Sequence, residues 1–317
     1  MSEITYLQAI NDAIVEEMRR DKRTVYLSTD VLPDMQQEFG LDRVRTAPIS
    51  ETGFVGAAVG LAGSGFRPII NVRYATFMFV AMDQFVNQAA KITYMFGGQA
   101  KFPIVYRLTV GAGTSMAAQH CISPYAMFMN VPGLKIVLPS TPHDVKGLLK
   151  TAVRDNNPVM FFEHTLLGPA MGEVPDGEYV IPFGQAAIRR SGKDVTVVAL
   201  AKMNQEALAA AEDLANRGIS VEVIDPRTLV PLDKAAIRAS VRKTGRLVVV
   251  DEACLTCSAA SEIVSMVVED PETFKCLKAQ PQRVCAPDVP IPYSPPMEQY
   301  VVPNKERIKA AMLEVLK

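Results

Sequence analysis

The sequence predicts an α/β fold made of two doubly wound domains, and two observations support that class. Short apolar runs alternate with helical stretches along the 317 residues, which is typical of parallel sheets covered by helices. A stretch rich in glycine and proline, Gly168 to Gly184, separates two such series. Because a chain of this length exceeds one ordinary core, we expect a first domain at residues 1–180 and a second at residues 185–317.

The first element is expected to be a helix that begins at a capping box formed by Thr5 and Gln8. Its apolar residues recur on one face, at Leu7, Ile10, Ile14 and Met18. Apolar runs then predict first-domain strands at residues 25–28, 68–72, 104–108, 135–138 and 159–162. In the second domain we expect strands at 195–200, 220–224 and 246–250, and helices at 205–217, 234–243 and 258–268. The proline-rich segment 287–296 is expected to be extended.

Composition and charge argue against several classes of function. The formal net charge is −1, with acids and bases mixed along the chain, so we expect no nucleic-acid partner and no membrane surface as a partner. The first residues carry no basic region followed by an apolar one, and no segment has about 18 uninterrupted apolar residues. We therefore expect a cytoplasmic protein that acts on small molecules and binds other proteins.

The five cysteines are an odd number in a long chain, which favours free thiols over a disulfide framework. One pair has a spacing that redox and metal sites use, Cys254-Leu255-Thr256-Cys257. It lacks the second pair that a zinc site needs, so a redox or metal role is a minor alternative.

Two residues are the main candidates for chemistry. His120 lies in a long loop of small residues, 111–120, that follows an apolar strand, where open α/β sheets place site residues. Glu51 begins a small-residue helix, where a carboxylate is either a site residue or only a helix cap or dipole partner. A third residue, His164, ends an apolar strand and is as consistent with packing as with function.

Glycines recur in and just after the Glu51 helix, at residues 53, 56, 60, 63 and 65. They do not follow the dinucleotide fingerprint of a strand, Gly-x-Gly-x-x-Gly and a later acid, so NAD binding is not expected. Glycines this dense in a helix indicate that a partner helix or a cofactor ring packs close to the backbone.

Further motifs run nearly end to end along the chain: Ile49-Ser50-Glu51-x-Gly53-Phe54, Asp83-Gln84-x-x-Asn87-Gln88, Ala117-Ala118-Gln119-His120, Arg154-Asp155-Asn156-x-Pro158 and Asp225-Pro226-Arg227-Thr228-Leu229. In this order they resemble the beta subunits of thiamine-diphosphate-dependent 2-oxo-acid dehydrogenases. Within that family, Tyr94-Met95-Phe96-Gly97-Gly98 and Asp251-Glu252-Ala253 most resemble acetoin dehydrogenase beta subunits.

The resemblance implies a transketolase-type pyrimidine-binding domain followed by a transketolase C-terminal domain, in an alpha2-beta2 heterotetramer. Glu51 matches the catalytic carboxylate that binds the pyrimidine ring of thiamine diphosphate, Phe77 the aromatic residue stacked on that ring, and His120 the catalytic histidine near the reacting atoms. The sequence has no Gly-Asp-Gly with a downstream asparagine, so the alpha subunit is expected to hold most of the Mg²⁺ and diphosphate. Positions that hold a structural potassium ion in some relatives are matched by Ile104, Ala152, Asp155 and Asn157.

The implied activity is cleavage of acetoin, with oxidative transfer of the acetyl-level fragment to lipoamide on a dihydrolipoamide acetyltransferase. Three alternatives stay open: a pyruvate dehydrogenase beta subunit, a non-catalytic scaffold of the same fold, and a thiol oxidoreductase that uses Cys254 and Cys257. Two departures from the family pattern leave the substrate open. Cys121-Ile122 stands where the family has Ser-Gln after the histidine, and Ser28-Thr29-Asp30 stands in place of Gly-Glu-Asp.

Overall fold

The computed structural model describes residues 1–317, which form two compact units. The first unit comprises Met1–Val110, Met127–Glu163 and Leu167–Phe183, and the second comprises Gly111–Ala126, His164–Leu166 and Gly184–Lys317. The units are therefore not continuous in sequence. The loop that carries His120 groups with the second unit, although it follows a strand of the first.

The first unit is built on a sheet covered by helices. Its strands are β1 (Ser2–Thr5), β2 (Thr24–Ser28), β3 (Val44–Thr46), β4 (Arg67–Tyr74), β5 (Val105–Val110), β6 (Lys135–Val137), β7 (Val159–His164) and β8 (Met171–Val174). Six of them lie in one sheet in the order β6-β7-β5-β4-β2-β3. Strand β2 pairs in parallel with β3 and β4, β4 with β5, and β6 with β7.

Helices and turns complete the first half of the chain. The helices are α1 (Tyr6–Arg20), α2 (Pro33–Phe39), α3 (Glu51–Gly63), α4 (Ile92–Met95), α5 (Tyr125–Met129) and α6 (Pro142–Arg154). Two 3₁₀ turns, Ala75–Ala81 and Thr165–Leu167, and a π-helical turn, Gln84–Ala89, lie between them. Helix α1 packs against α6, and their apolar faces form one core with residues of β2, β4 and β7.

The five predicted strands of the first domain are confirmed as β2, β4, β5, β6 and β7. Three short strands were not predicted. One of them, β8, lies inside the glycine- and proline-rich stretch Gly168 to Gly184, which we interpreted as the linker between the domains, and pairs antiparallel with β1 at the N-terminus. Pairing between segments so distant in sequence leaves no local pattern, so an interpretation from composition alone could not find it.

The predicted first helix is confirmed, with one error in its buried face. The Gln8 N–H donates to Thr5 Oγ1 at 3.1 Å, which caps α1. Leu7, which was predicted to lie on the apolar face of the helix, is 53% exposed. Tyr6, one residue earlier, is buried instead, and its hydroxyl donates to the Pro139 carbonyl at 3.2 Å.

The second unit is a smaller sheet with helices packed on it. Its strands are β9 (Ala187–Arg190), β10 (Val195–Ala199), β11 (Val221–Asp225), β12 (Thr228–Val230), β13 (Leu247–Cys254) and β14 (Gln282–Ala286). Five form a sheet in the order β14-β13-β10-β11-β9, in which only β9 pairs antiparallel. The helices are α7 (Met203–Ala215), α8 (Lys234–Thr244), α9 (Ala259–Val268), α10 (Pro271–Cys276), α11 (Pro295–Val301) and α12 (Lys305–Glu314).

All three strands and all three helices predicted for the second domain are present, as β10, β11, β13, α7, α8 and α9. The extended prediction for 287–296 is wrong at its end, because Pro295 and Pro296 begin α11. Proline fits the first turn of a helix, where its missing N–H has no intrahelical partner to lose. No helix of the chain is both long enough and apolar enough to cross a bilayer.

Candidate functional site

Glu51 is the first residue of α3, and its side chain is half-buried. The preceding residue, Ser50, is the N-cap but gives no side-chain capping bond. The next residue, Thr52, donates its hydroxyl to the Val80 carbonyl at 2.6 Å and so ties the start of the helix to the Ala75–Ala81 turn. The positive end of the helix dipole stabilises a carboxylate at this place.

Phe77 lies in that same turn, directly after β4, and is half-buried. Its ring meets Tyr74 edge to face, with centroids 5.6 Å apart and planes at 81°. Since α3 packs against this turn, the structure brings the elements of Glu51 and Phe77 together in the first unit. The other predicted catalytic residue, His120, belongs to the second unit.

Apolar side chains near Glu51 and Phe77 are open to solvent. Ile49 is 85% exposed, Val80 67% and Phe79 39%. Apolar side chains of this kind are typical of binding surfaces where they form one contiguous patch. A carboxylate and an aromatic ring suit a heteroaromatic ring with a protonatable nitrogen, because the carboxylate can accept the N–H and the aromatic ring can stack on the face.

The glycines of α3 have different neighbours. A Cβ added at Gly56 would come 3.2 Å from Gln84 Cγ, so this glycine lets the π-helical turn approach the helix closely. A Cβ at Gly60 would meet no atom of the chain within 4 Å. The close packing predicted against the backbone of this helix is therefore explained at Gly56 by a residue of the same chain. At Gly60 the space beside the helix is open.

The loop that carries His120 has an unusual backbone. Gly111 and Gly113 have φ angles of 98° and 107°, and Ser115 and Ala117 adopt positive φ without being glycine. A Cβ at Gly111 would lie 2.2 Å from His164 Nε2, so only glycine fits there. His120 is half-buried, and its N–H donates to the Ala117 carbonyl at 3.2 Å.

His164 is a buried histidine whose hydrogen bonds are satisfied. Its Nδ1 accepts the Leu166 N–H at 3.2 Å, which puts the proton of the neutral ring on Nε2. That Nε2 lies 2.7 Å from Glu252 Oε2, and Glu252 Oε1 accepts the Ala112 N–H at 2.6 Å. The structure thus favours the packing role for His164, since it supports the loop through Glu252.

Sequence reasoning gave no role to two buried carboxylates of the second unit, Glu252 and Glu298. Both accept backbone N–H groups of the His120 loop. No local sequence pattern predicts this role, because the carboxylates lie more than a hundred residues after the loop.

One of the predicted potassium positions, Asp155, already forms an ion pair with a lysine side chain. Lys135 Nζ forms an ion pair with Asp155 Oδ2, and the Asn157 N–H and side-chain amide each donate to Asp155 Oδ1 at 2.8 Å. Burial raises the pKa of Asp155, but the bonds from Lys135 and Asn157 outweigh it and lower that pKa overall. The carbonyl of Ile104 accepts the Val159 N–H at 2.8 Å. The residues present thus fit potassium poorly.

All five cysteines are unbridged. Cys254 and Cys257 are exposed, and Cys257 has a φ angle of 54°. The chain holds no group of three or more histidine, cysteine, aspartate or glutamate residues arranged to hold a metal ion.

Two family models match the chain: the transketolase pyrimidine-binding domain over residues 2–170 and the transketolase C-terminal domain over residues 184–308. A solved structure described as a split-gene transketolase, an inactive beta4 tetramer, matches with a TM-score of 0.82. It covers 99% of this chain and 98% of its own at 22% identity, so it supports the fold alone. These matches define a transketolase-type two-domain protein and confirm the predicted fold class.

Similar proteins narrow this class further. The beta subunits of acetoin:2,6-dichlorophenolindophenol oxidoreductase from Cupriavidus necator and Bacillus subtilis are 46% and 43% identical, over 98% and 99% of this chain and 96% and 97% of theirs. A mitochondrial pyruvate dehydrogenase E1 component subunit beta-1 from Oryza sativa is 42% identical, over 98% of this chain and 86% of its own. The chain belongs to the beta-subunit family of acetoin and 2-oxo-acid dehydrogenases, which are oxidoreductases, and the resemblance of its motifs is confirmed.

Proposed function

We propose that this chain is the beta subunit of a thiamine-diphosphate-dependent acetoin dehydrogenase, which cleaves acetoin, releases acetaldehyde and passes the remaining acetyl-level fragment oxidatively to lipoamide. The observation that carries the cofactor role is the half-buried Glu51 at the start of α3, beside the turn that bears Phe77. Acetoin is favoured because the two acetoin relatives, at 46% and 43% identity, exceed the pyruvate relative at 42%.

The residues of this chain have separate tasks in that reaction. Thiamine diphosphate, when bound, supplies the carbanion chemistry that side chains lack. Glu51 binds the pyrimidine ring and shares a proton with a ring nitrogen through its carboxyl oxygen. Phe77 supports the face of the same ring, and the apolar side chains around it exclude water. His120 donates or accepts a proton at the reacting carbons and oxygen of the substrate.

The proposal includes partners that complete the site. An alpha subunit in an alpha2-beta2 heterotetramer covers the exposed apolar residues near Glu51 and holds the Mg²⁺ and diphosphate. A lipoyl-bearing dihydrolipoamide acetyltransferase accepts the two electrons and the acetyl group. The predicted potassium positions, Ile104, Ala152, Asp155 and Asn157, are not part of this proposal, and no step of the proposed reaction depends on them.

The test is to co-express the chain with an alpha-type subunit, add thiamine diphosphate and Mg²⁺, and follow reduction of 2,6-dichlorophenolindophenol with acetoin and with pyruvate in parallel. Glu51→Gln should lower acetoin-dependent kcat by about 100-fold or more, because it removes a proton-sharing group. Asp34→Asn is the matched control, since Asp34 is an exposed acid in the first turn of α2. Full activity of Glu51→Gln would exclude the proposed role of Glu51 and favour the scaffold alternative.

The second candidate is a pyruvate dehydrogenase beta subunit, which the 42% identical relative favours. It uses the same three residues and differs only in the substrate. Dye reduction with pyruvate and not with acetoin would establish this candidate in place of the first.

A further inference from the structure

Two buried carboxylates of the second unit bind the loop from Gly111 to Cys121: Glu252 accepts one backbone N–H group and Glu298 accepts two. Glu298, on α11, is 2% exposed. Its Oε1 accepts the Gly113 N–H at 2.8 Å, and its Oε2 accepts the Ser115 N–H at 3.1 Å. Glu298 therefore binds the start of the segment in which His120 lies.

Apolar packing fixes the same loop onto the same helix. Ala112 and Cys121 form a small buried cluster with Ile291 and with Val301 of α11. Burial raises the pKa of the Cys121 thiol, so this group keeps its proton at neutral pH and packs as a small apolar residue. Helix α11 thus supports the loop both by apolar packing and by the hydrogen bonds of Glu298.

The loop needs such support because its backbone is strained. Ser115 and Ala117 have φ angles of 55° and 60°, in the left-handed region that residues with a Cβ rarely adopt. Strained residues of this kind persist only where the surrounding structure holds them. The N–H of Ser115 is one of the two groups that Glu298 binds, so the carboxylate acts directly on a strained residue.

We propose that Glu298 is a positioning residue for His120: by accepting the N–H groups of Gly113 and Ser115, it fixes the loop so that the imidazole reaches the substrate. The proposal rests on the proposed catalytic role of His120. Glu298 itself does not contact the substrate, and its effect on the reaction passes through the histidine.

Glu298→Gln is the informative substitution, because glutamine keeps the size of the side chain but has one acceptor oxygen where the carboxylate has two. The NH₂ group of the glutamine would face the N–H of either Gly113 or Ser115. Since both groups are donors, one of the two hydrogen bonds to the loop would be lost. The matched control is Glu206→Gln. Glu206 lines the same cavity of about 330 Å³ as Glu298, but it binds Lys202 and the N–H of Lys305.

The kinetic test uses the complex with the alpha-type subunit and the dye assay. Glu298→Gln should lower kcat by about 100-fold, the loss expected from a small misplacement of a catalytic group, with the thiamine diphosphate requirement unchanged. In a His120→Ala background the same substitution should cause no further loss, because the group through which it acts is gone. If the two substitutions lowered kcat independently, so that their fold losses multiplied, Glu298 would have a general structural role. That result would overturn the proposal.

A second readout needs no catalysis. Hydrogen exchange of the backbone N–H groups across residues 113–121 should be faster in Glu298→Gln and unchanged in Glu206→Gln. Unchanged exchange in Glu298→Gln would overturn the proposal even if kcat fell. A wild-type complex inactive with both substrates would instead contradict the proposed function, and hydrogen exchange would still decide whether Glu298 holds the loop.

Discussion

At the residue scale, burial divides four of the five cysteines into two chemical groups, and Cys276 is intermediate. Cys254 and Cys257 are exposed, whereas Cys121 and Cys285 are buried in the second unit. Burial raises the pKa of Cys285 to about 12. Because the thiolate is the reactive form, the environment of a cysteine decides its reactivity more than its place in a sequence motif.

Thiol labelling tests this division. With a thiol reagent on the folded chain, we expect rapid modification at Cys254 and Cys257 and none at Cys285. Raising the pH from 7 to 9 should leave Cys285 unmodified, because its pKa lies well above this range. Peptide mass mapping measures both, and labelling of Cys285 before unfolding would contradict the assignment.

At the element scale, two helices of the second unit end in a similar way but in different surroundings. Gly218 follows α7 with a φ angle of 76°, and Gly245 follows α8 with a φ angle of 74°. A Cβ at Gly218 would meet no atom within 4 Å. A Cβ at Gly245 would lie 2.9 Å from the carbonyl oxygen of Cys276. The first glycine is needed for its backbone conformation alone, and the second also for space.

Alanine substitution should separate the two requirements. Gly218→Ala should lower the free energy of unfolding by about 1 kcal/mol, the cost of a left-handed residue with a Cβ. Gly245→Ala should cost about 2–4 kcal/mol, because a backbone carbonyl must also move. Thermal unfolding followed by circular dichroism compares them, and equal losses would show that the space around Gly245 adjusts freely.

At the scale of the whole molecule, the first unit exposes several large apolar residues to solvent, which has no benefit for the stability of an isolated subunit. Ile49 and Val80 lie beside the candidate cofactor residues, and Tyr94 and Met95 are 86% and 75% exposed. The alpha subunit of the proposed function would cover such residues. The chain is thus expected to be one part of a site that is completed by association.

A charge placed in this surface should weaken association. We expect Val80→Asp to lower affinity for the alpha-type subunit by about 100-fold, since an uncompensated buried charge costs about 3 kcal/mol or more. Leu41→Asp is the control, because Leu41 is 68% exposed and adjoins Asp42 on a turn of the same unit. Size-exclusion chromatography of the co-expressed chains measures association. Equal co-elution of both variants would show that Val80 lies outside the interface.

Much of the architecture could be predicted because local sequence patterns determine it. Buried parallel strands are continuous apolar runs, and the N-cap of α1, Thr5, lies only three residues before the Gln8 N–H that it accepts. The motif around Glu51 placed a carboxylate at a helix start, and the structure has it there. The short strands β1 and β8 were missed because each is defined by its pairing with the other and not by its own residues.

By itself, the sequence determined the fold class, the order of the main elements and the family, because periodicity and motif order are properties of the linear chain. Only the tertiary structure showed that the His120 loop groups with the second unit and that Glu252 and Glu298 hold it. It also showed that Lys135 already pairs with Asp155. The physical reason is that a hydrogen bond between residues 185 positions apart, as between Gly113 and Glu298, depends on where folding brings the backbone, and no local pattern encodes that meeting.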